Sequence, residues 1–149
     1  MIAALHEFFR RGLDQLREEI GAYPDENFIW RKLPGTTNSA GNLTLHLLGN
    51  LNHFVGQGLG KTGYQRERER EFTEQDVSRE LLLQRIQSTL DMMEEVCLDL
   101  EEEQLPYAYP EEHNAGQDQS IGFMMARLLA HFHYHLGQIN YHRRYFVAA

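Results

Sequence analysis

The sequence predicts an all-α fold, a four-helix bundle with long connections. Three observations carry this. Four stretches place apolar residues three or four positions apart, no stretch alternates in the way a half-buried strand does, and clusters of glycine, proline and short polar residues separate the four. At 149 residues the chain is close to the size of one domain, and a single domain over residues 1–149 is expected.

The first helix, near residues 2–21, sets Ile2, Leu5, Phe9, Leu13, Leu16 and Ile20 on one face, and Gly21 and Pro24 end it. The second, near residues 39–56, opens on Asn38 or Ser39, whose short side-chain oxygen accepts from the free N–H groups of a first turn. It is apolar nearly all round through Leu43, Leu45, Leu47, Leu48, Leu51 and Phe54, which predicts burial on several sides, and Gly56, Gly58 and Gly60 stop it. The run Arg66-Glu-Arg-Glu-Arg-Glu71 reads as a solvated, self-neutralising link; the sharper alternative is an arginine lip over an anionic substrate. Thr73, with Asp76 as the shorter acid of an approximate capping box, starts a third helix near residues 74–103. Its inner stripe is Val77, Leu81, Ile86, Leu90, Met93, Cys97 and Leu100, so Cys97 is expected to pack in the core rather than act as a nucleophile. Pro106 and Pro110 open a loop through Gln119, with short extended pieces around Tyr107 to Tyr109. Ser120 caps a fourth helix near residues 120–146. The long connections mean that successive helices need not be neighbours.

Composition excludes several function classes. Lys and Arg total 14 against 22 Asp and Glu, a formal charge of −8, where a general nucleic-acid binder needs a strongly basic face. The single cysteine excludes an intrachain disulfide and any multi-cysteine zinc or iron–sulfur site. No apolar run approaches the roughly 20 residues of a membrane span, and the first residues enter an amphipathic pattern with no leader-like segment. A soluble, cytoplasmic chain without a membrane or nucleic-acid partner is the expectation.

Histidine is unusually frequent, with eight copies. His131 and His135 are four apart, so both rings project from one face of the last helix, one turn from each other, and two such rings can share a metal ion. The stripe Ile121, Met124, Leu128, His131, His135, Ile139 points them into the bundle, where buried imidazoles need partners. A third ligand should come from another helix. His46, among Leu43, Leu47 and Asn50 on the buried second helix, is the first candidate, and His53, two turns along the same face, is the reserve. His6 lies near the chain start, His113 in a loop, and His133 on the far side of its helix. His142 returns to the stripe but lies about 10 Å beyond His135 along the axis. These four read as satisfied polar groups or surface residues. No Glu-x-x-His occurs, which excludes a di-iron carboxylate bundle. Nor is there a zinc-protease helix, a phosphate loop, a nucleophile elbow or a dinucleotide fingerprint.

The block His131-Phe-His-Tyr-His135-Leu-Gly137-Gln138-Ile139, ending a four-helix chain of this length, resembles the DinB-like superfamily of metal-binding four-helix bundles, some of whose members are thiol-dependent S-transferases. Upstream, Asn38-Ser39-Ala-Gly-Asn-Leu-Thr-Leu-His46-Leu-Leu-Gly49-Asn50, followed by Arg66 to Phe72, is similar to one largely uncharacterised bacterial branch; the resemblance covers roughly residues 33–145. It implies one divalent ion on His46, His131 and His135, with zinc or nickel favoured and manganese or cobalt compatible with imidazole. It also implies a homodimer. Three neutral histidines that leave an exchangeable position are the pattern of a catalytic site. The expected function is therefore transfer of a small electrophile to a low-molecular-weight thiol. The alternatives are a hydrolase using metal-activated water, or a non-catalytic bundle that binds metal or a small ligand. Asn50 is expected to hold a ligand from behind. Gly137 is expected to admit a neighbouring helix, and Gln138 to pack or, less simply, to reach toward the site.

Overall fold

The computed structural model describes residues 1–110 and 119–147. It is an all-α bundle of four long helices, α1 (Ile2–Gly21), α2 (Ala40–Leu51), α4 (Arg79–Asp99) and α5 (Ile121–Val147), with a short fifth helix, α3 (Arg68–Thr73). Tight 3₁₀ turns lie at Glu26–Trp30 and Glu102–Gln104. The only β-pairing among the described residues is an isolated antiparallel bridge between Ala108 and Ser120. It closes the loop whose expected extended pieces lie at residues 107–109; His113 falls outside the described residues.

Helix α1 packs against α4 and α5, and α2 against the same two, so the chain-successive pair α1 and α2 occupy opposite corners. The first connection therefore crosses the end of the bundle. Trp30 holds it there, with its ring over Gly41, where a Cβ would fall 2.6 Å from the indole, and its Nε1–H donating to the Val77 carbonyl at 3.1 Å. On α1 the expected stripe is the buried one: Leu5, Phe9, Leu13, Leu16 and Ile20 meet Ile86 and Met93 of α4 and Phe132, Leu136 and Ile139 of α5 in one apolar cluster. Every residue of α2 is buried, as its all-round apolar pattern predicts. Cys97 is buried in the same core, and burial pushes its thiol up to about 11, which removes it as a nucleophile.

Several boundaries differ from expectation. The second helix is α-helical only to Leu51 and continues as a π-helical stretch, Asn52–Gln57. The third long helix starts at Arg79. Its cap is Ser78, whose side chain accepts from the Leu81 N–H, and not Thr73, which ends α3. Between them Asp76 takes φ 58°, a left-handed conformation that no helix continues through. With the start moved, Leu82 takes the inward position expected of Leu81, which is 40% exposed. The helix ends at Asp99 rather than near residue 103. Asp99 and Glu101 to Glu103 put negative charge at the end of the helix dipole that is already negative, so continuation is disfavoured. Among the described residues no helix is long and apolar enough to cross a membrane.

Candidate metal centre

Buried α2 and the inner face of α5 bring three imidazoles together. One ring nitrogen each from His46, His131 and His135 lies within 4.8 Å of the others, an arrangement that could hold a metal ion. The ring centroids are 4.7–5.3 Å apart. The three are those the sequence singled out. The reserve, His53, stacks edge-on with Phe54 and is not in the group. His142 is buried and satisfied, with Nδ1 2.7 Å from the Tyr23 hydroxyl and Nε2 2.7 Å from the Arg31 carbonyl. His133 is exposed and bonds to the Leu129 carbonyl one turn back. His6 lies outside the group, but its Nε2 is buried with no partner among the described residues, so it is not the satisfied or surface residue expected.

The charged run contributes what sequence reasoning missed. Arg66 and Glu71 turn inward, so the run is neither wholly solvated nor an open arginine lip. Glu71 is 6% exposed and sets Oε1 3.0 Å from Nδ1 of His46. Arg66 grips the same carboxylate with two bonds of 2.8 Å, from Nε to Oε2 and from Nη2 to Oε1. Burial pushes the Glu71 carboxyl up, but the bonds from Arg66 and His46 outweigh it and hold the group below its ordinary range. Glu71, rather than Asn50, is therefore the partner behind His46. Gly49, one turn after His46, makes this contact geometrically available: a Cβ there would fall on the Glu71 carboxylate, 2.6 Å from Cδ. Asn42 anchors the segment from the same helix, donating Nδ2 to the Glu71 and Glu74 carbonyls at 3.1 and 2.8 Å.

Gln138 reaches rather than packs. Its Oε1 lies 2.7 Å from Nδ1 of His135, while no neighbouring helix approaches Gly137, where an added Cβ would meet nothing within 4 Å. The reason is spacing: three residues on from His135 puts Gln138 on the same face of α5.

These partners assign the protons. An ionised carboxylate only accepts, so Nδ1 of His46 carries a hydrogen and Nε2 presents a bare lone pair. The carbonyl oxygen of Gln138 does the same for His135. Nε2 of His131 lies 3.1 Å from Nε2 of His46, and its buried Nδ1 has no partner among the described residues. Burial, with His135 and His46 adding to it, pushes His131 down to about 4; burial likewise lowers His135, against the pull of the Gln138 bond. The group thus brings three ring nitrogens together, two of them on rings that burial disfavours charging, and a proton or a cation between them relieves the repulsion of their lone pairs. A proton on His131 Nε2 would leave its Nδ1 as a bare, buried acceptor. A divalent ion satisfies all three lone pairs, and the 3.1 Å spacing lies within what two metal–nitrogen bonds of about 2.0–2.1 Å span. The donor set fits a metal.

No curated protein matches the chain. The model of a family described as a protein of unknown function, DUF1572, matches residues 2–148, and with nearly the whole length matched the chain belongs to the DUF1572 family.

Proposed function

We propose that the chain is a metal-dependent enzyme of the DinB-like superfamily that transfers a small electrophile to a low-molecular-weight thiol, with His46, His131 and His135 holding the ion. DUF1572 is a DinB-like family, which supports the superfamily reading. The observation that carries the chemistry is the convergence of three imidazoles, two of them backed by Glu71 and Gln138. An ion held there supplies a Lewis acid that lowers the pKa of a thiol or water beside it. Zinc or nickel is the favoured ion, with manganese and cobalt compatible.

The protein's own residues do the rest. Burial keeps His131 unprotonated, so it offers a lone pair at neutral pH. Glu71 holds the Nδ1 proton of His46, which aims Nε2 inward and makes the ring a stronger donor. Arg66 neutralises Glu71, which keeps that proton on the ring. In the transfer the thiol gives up its S–H proton to solvent water, sulfur forms a bond to the electrophilic carbon, and that carbon releases its leaving group with the bonding pair. No oxidant is required. The cytoplasm, where small thiols are kept reduced, is the setting this chemistry suits.

A panel of bacterial thiols with an alkyl halide, an epoxide and an activated ester, run with zinc, nickel or manganese, tests the reading. Metal-dependent thiol consumption that disappears in His131→Ala supports it. Product release without thiol makes the protein a hydrolase instead, and no turnover with any pair leaves a metal-binding bundle without catalysis. The homodimer that goes with this reading is checked by sedimentation at high concentration, where a monomer removes it.

A further inference from the structure

Beyond His135 a half-exposed face of α5 continues as the wall of a cleft of about 510 Å³, bounded on the other side by the loop from Leu33 to Asn38. From His135 to Tyr141 the helix rises about 9 Å, so the cleft is as long as a substituted ring. Among the described residues its lining includes no Asp, Glu, Lys or Arg, in a chain of net charge −8. Leu33 and Leu43 supply apolar surface. His142 is an inert wall, because both its ring nitrogens are bonded to Tyr23 and Arg31. The hydroxyls of Tyr134 and Tyr141 carry no hydrogen bond among the described residues, and the Gln138 amide nitrogen is likewise free while its oxygen is taken by His135.

A cleft with apolar surface, no charged side chain in its described lining and a few unused neutral donors and acceptors gives a neutral ring both apolar and hydrogen-bonding contact, and gives a charged ring no opposite charge from the protein itself. We propose that this cleft binds the electrophilic substrate, and that the substrate is an uncharged, ring-sized organic molecule whose polar groups meet Gln138, Tyr134 and Tyr141. This rests on the reading of the three histidines as the reaction centre, which places the end of the cleft at His135 against the reacting atoms.

The test is titration of the isotope-labelled protein, zinc-loaded and zinc-free, with three rings of similar size: neutral benzamide, anionic benzenesulfonate and cationic benzyltrimethylammonium; the zinc-free arm separates attraction to the ion from recognition by the cleft. Benzamide is expected to bind at least roughly tenfold more tightly than either ion and to shift the side-chain amide signals of Asn38 and Gln138. Tyr141→Ala, a change at a side chain 74% exposed, is expected to weaken benzamide several-fold with zinc content unchanged. Tighter binding of the cation, as a merely acidic surface would give, overturns the proposal, as do benzamide shifts confined to other faces. Zinc retained with no benzamide in the cleft overturns the cleft alone. Benzamide seated in a protein that does not retain zinc supports the cleft and overturns the metal reading.

Discussion

Burial holds His131 well below the ordinary imidazole range, and among the described residues no hydrogen-bond partner stands behind it, so an ion held there would be its main satisfaction. Elemental analysis after matched zinc loading should show His46→Ala, His131→Ala and His135→Ala each losing most of the metal, while His6→Ala, His53→Ala, His113→Ala and His133→Ala keep it. Retention of full metal by both His131→Ala and His135→Ala would reduce the cluster to core packing. Glu71→Gln removes the negative acceptor behind His46 and strands Arg66; zinc affinity measured by chelator competition should fall about 10–100-fold. His142 contributes a pH dependence that is separate from the metal. Burial lowers its pKa below the ordinary value of 6.5, although the Arg31 carbonyl pulls the other way. The unfolded chain therefore takes up a proton at His142 at a pH where the folded chain does not. This stability is fully present above about pH 6.5 and is lost as pH falls through that value. Urea unfolding of metal-free protein from pH 7.5 to 5.5 should show the decline, and His142→Phe should flatten the His142 part of it; equal slopes in both proteins would contradict this.

At the scale of elements, α2 is the centre of the arrangement. It is buried all round, so one helix can face α5 with His46, face α3 with Gly49 and Asn42, and still pack its leucines into the core. Its Ser39 cap, accepting from the Asn42 N–H, sets where the helix begins and with it the direction in which His46 points. Gly49→Ala should act like a mutation of the site rather than of the helix. Alanine is the better helix former by about 1 kcal/mol, yet the added methyl would displace the Glu71 carboxylate. The expected result is a protein that keeps its helical circular dichroism but binds zinc more weakly, in the direction of Glu71→Gln. Unchanged zinc affinity would mean that α3 yields freely and that the close approach at Gly49 has no consequence for the centre.

For the whole molecule, an ion held by His46, His131 and His135 would be a cross-link between α2 and α5, two helices that also pack side chain against side chain. Binding to the folded state alone stabilises it by about 2.7 kcal/mol when the free ion is a hundredfold above its dissociation constant. Thermal unfolding monitored by circular dichroism should show a Tm that rises with zinc in the wild-type chain and stays level in His131→Ala. An equal rise in both would place the stabilising ion elsewhere. Glu19 of α1 receives both Asn140 and Arg143 of α5, which ties α5 to α1 independently of the histidine group.

The four long helices, their inward faces and the three histidines are legible in the sequence, because all of them are local. A 3.6-residue period, a Ser or Gly at a helix end and an i, i+4 histidine pair depend only on positions a turn or two apart. Leu5 to Ile20 and His131 with His135 needed no knowledge of the rest of the chain. The partners behind the ligands were not legible. In the run from Arg66 to Glu71 every arginine and glutamate looks alike, and only α2, passing with a glycine at position 49, selects Glu71 to be buried and Arg66 to hold it. The start of α4 went wrong for a related reason, since Thr73 and Ser78 are both acceptable caps by type and the left-handed Asp76 between them is what separates α3 from α4. Local spacing determines which faces of which helices can carry chemistry. The choice among chemically equivalent side chains belongs to the tertiary structure, because burial of a charge is favourable only where a partner from a distant part of the chain is already waiting.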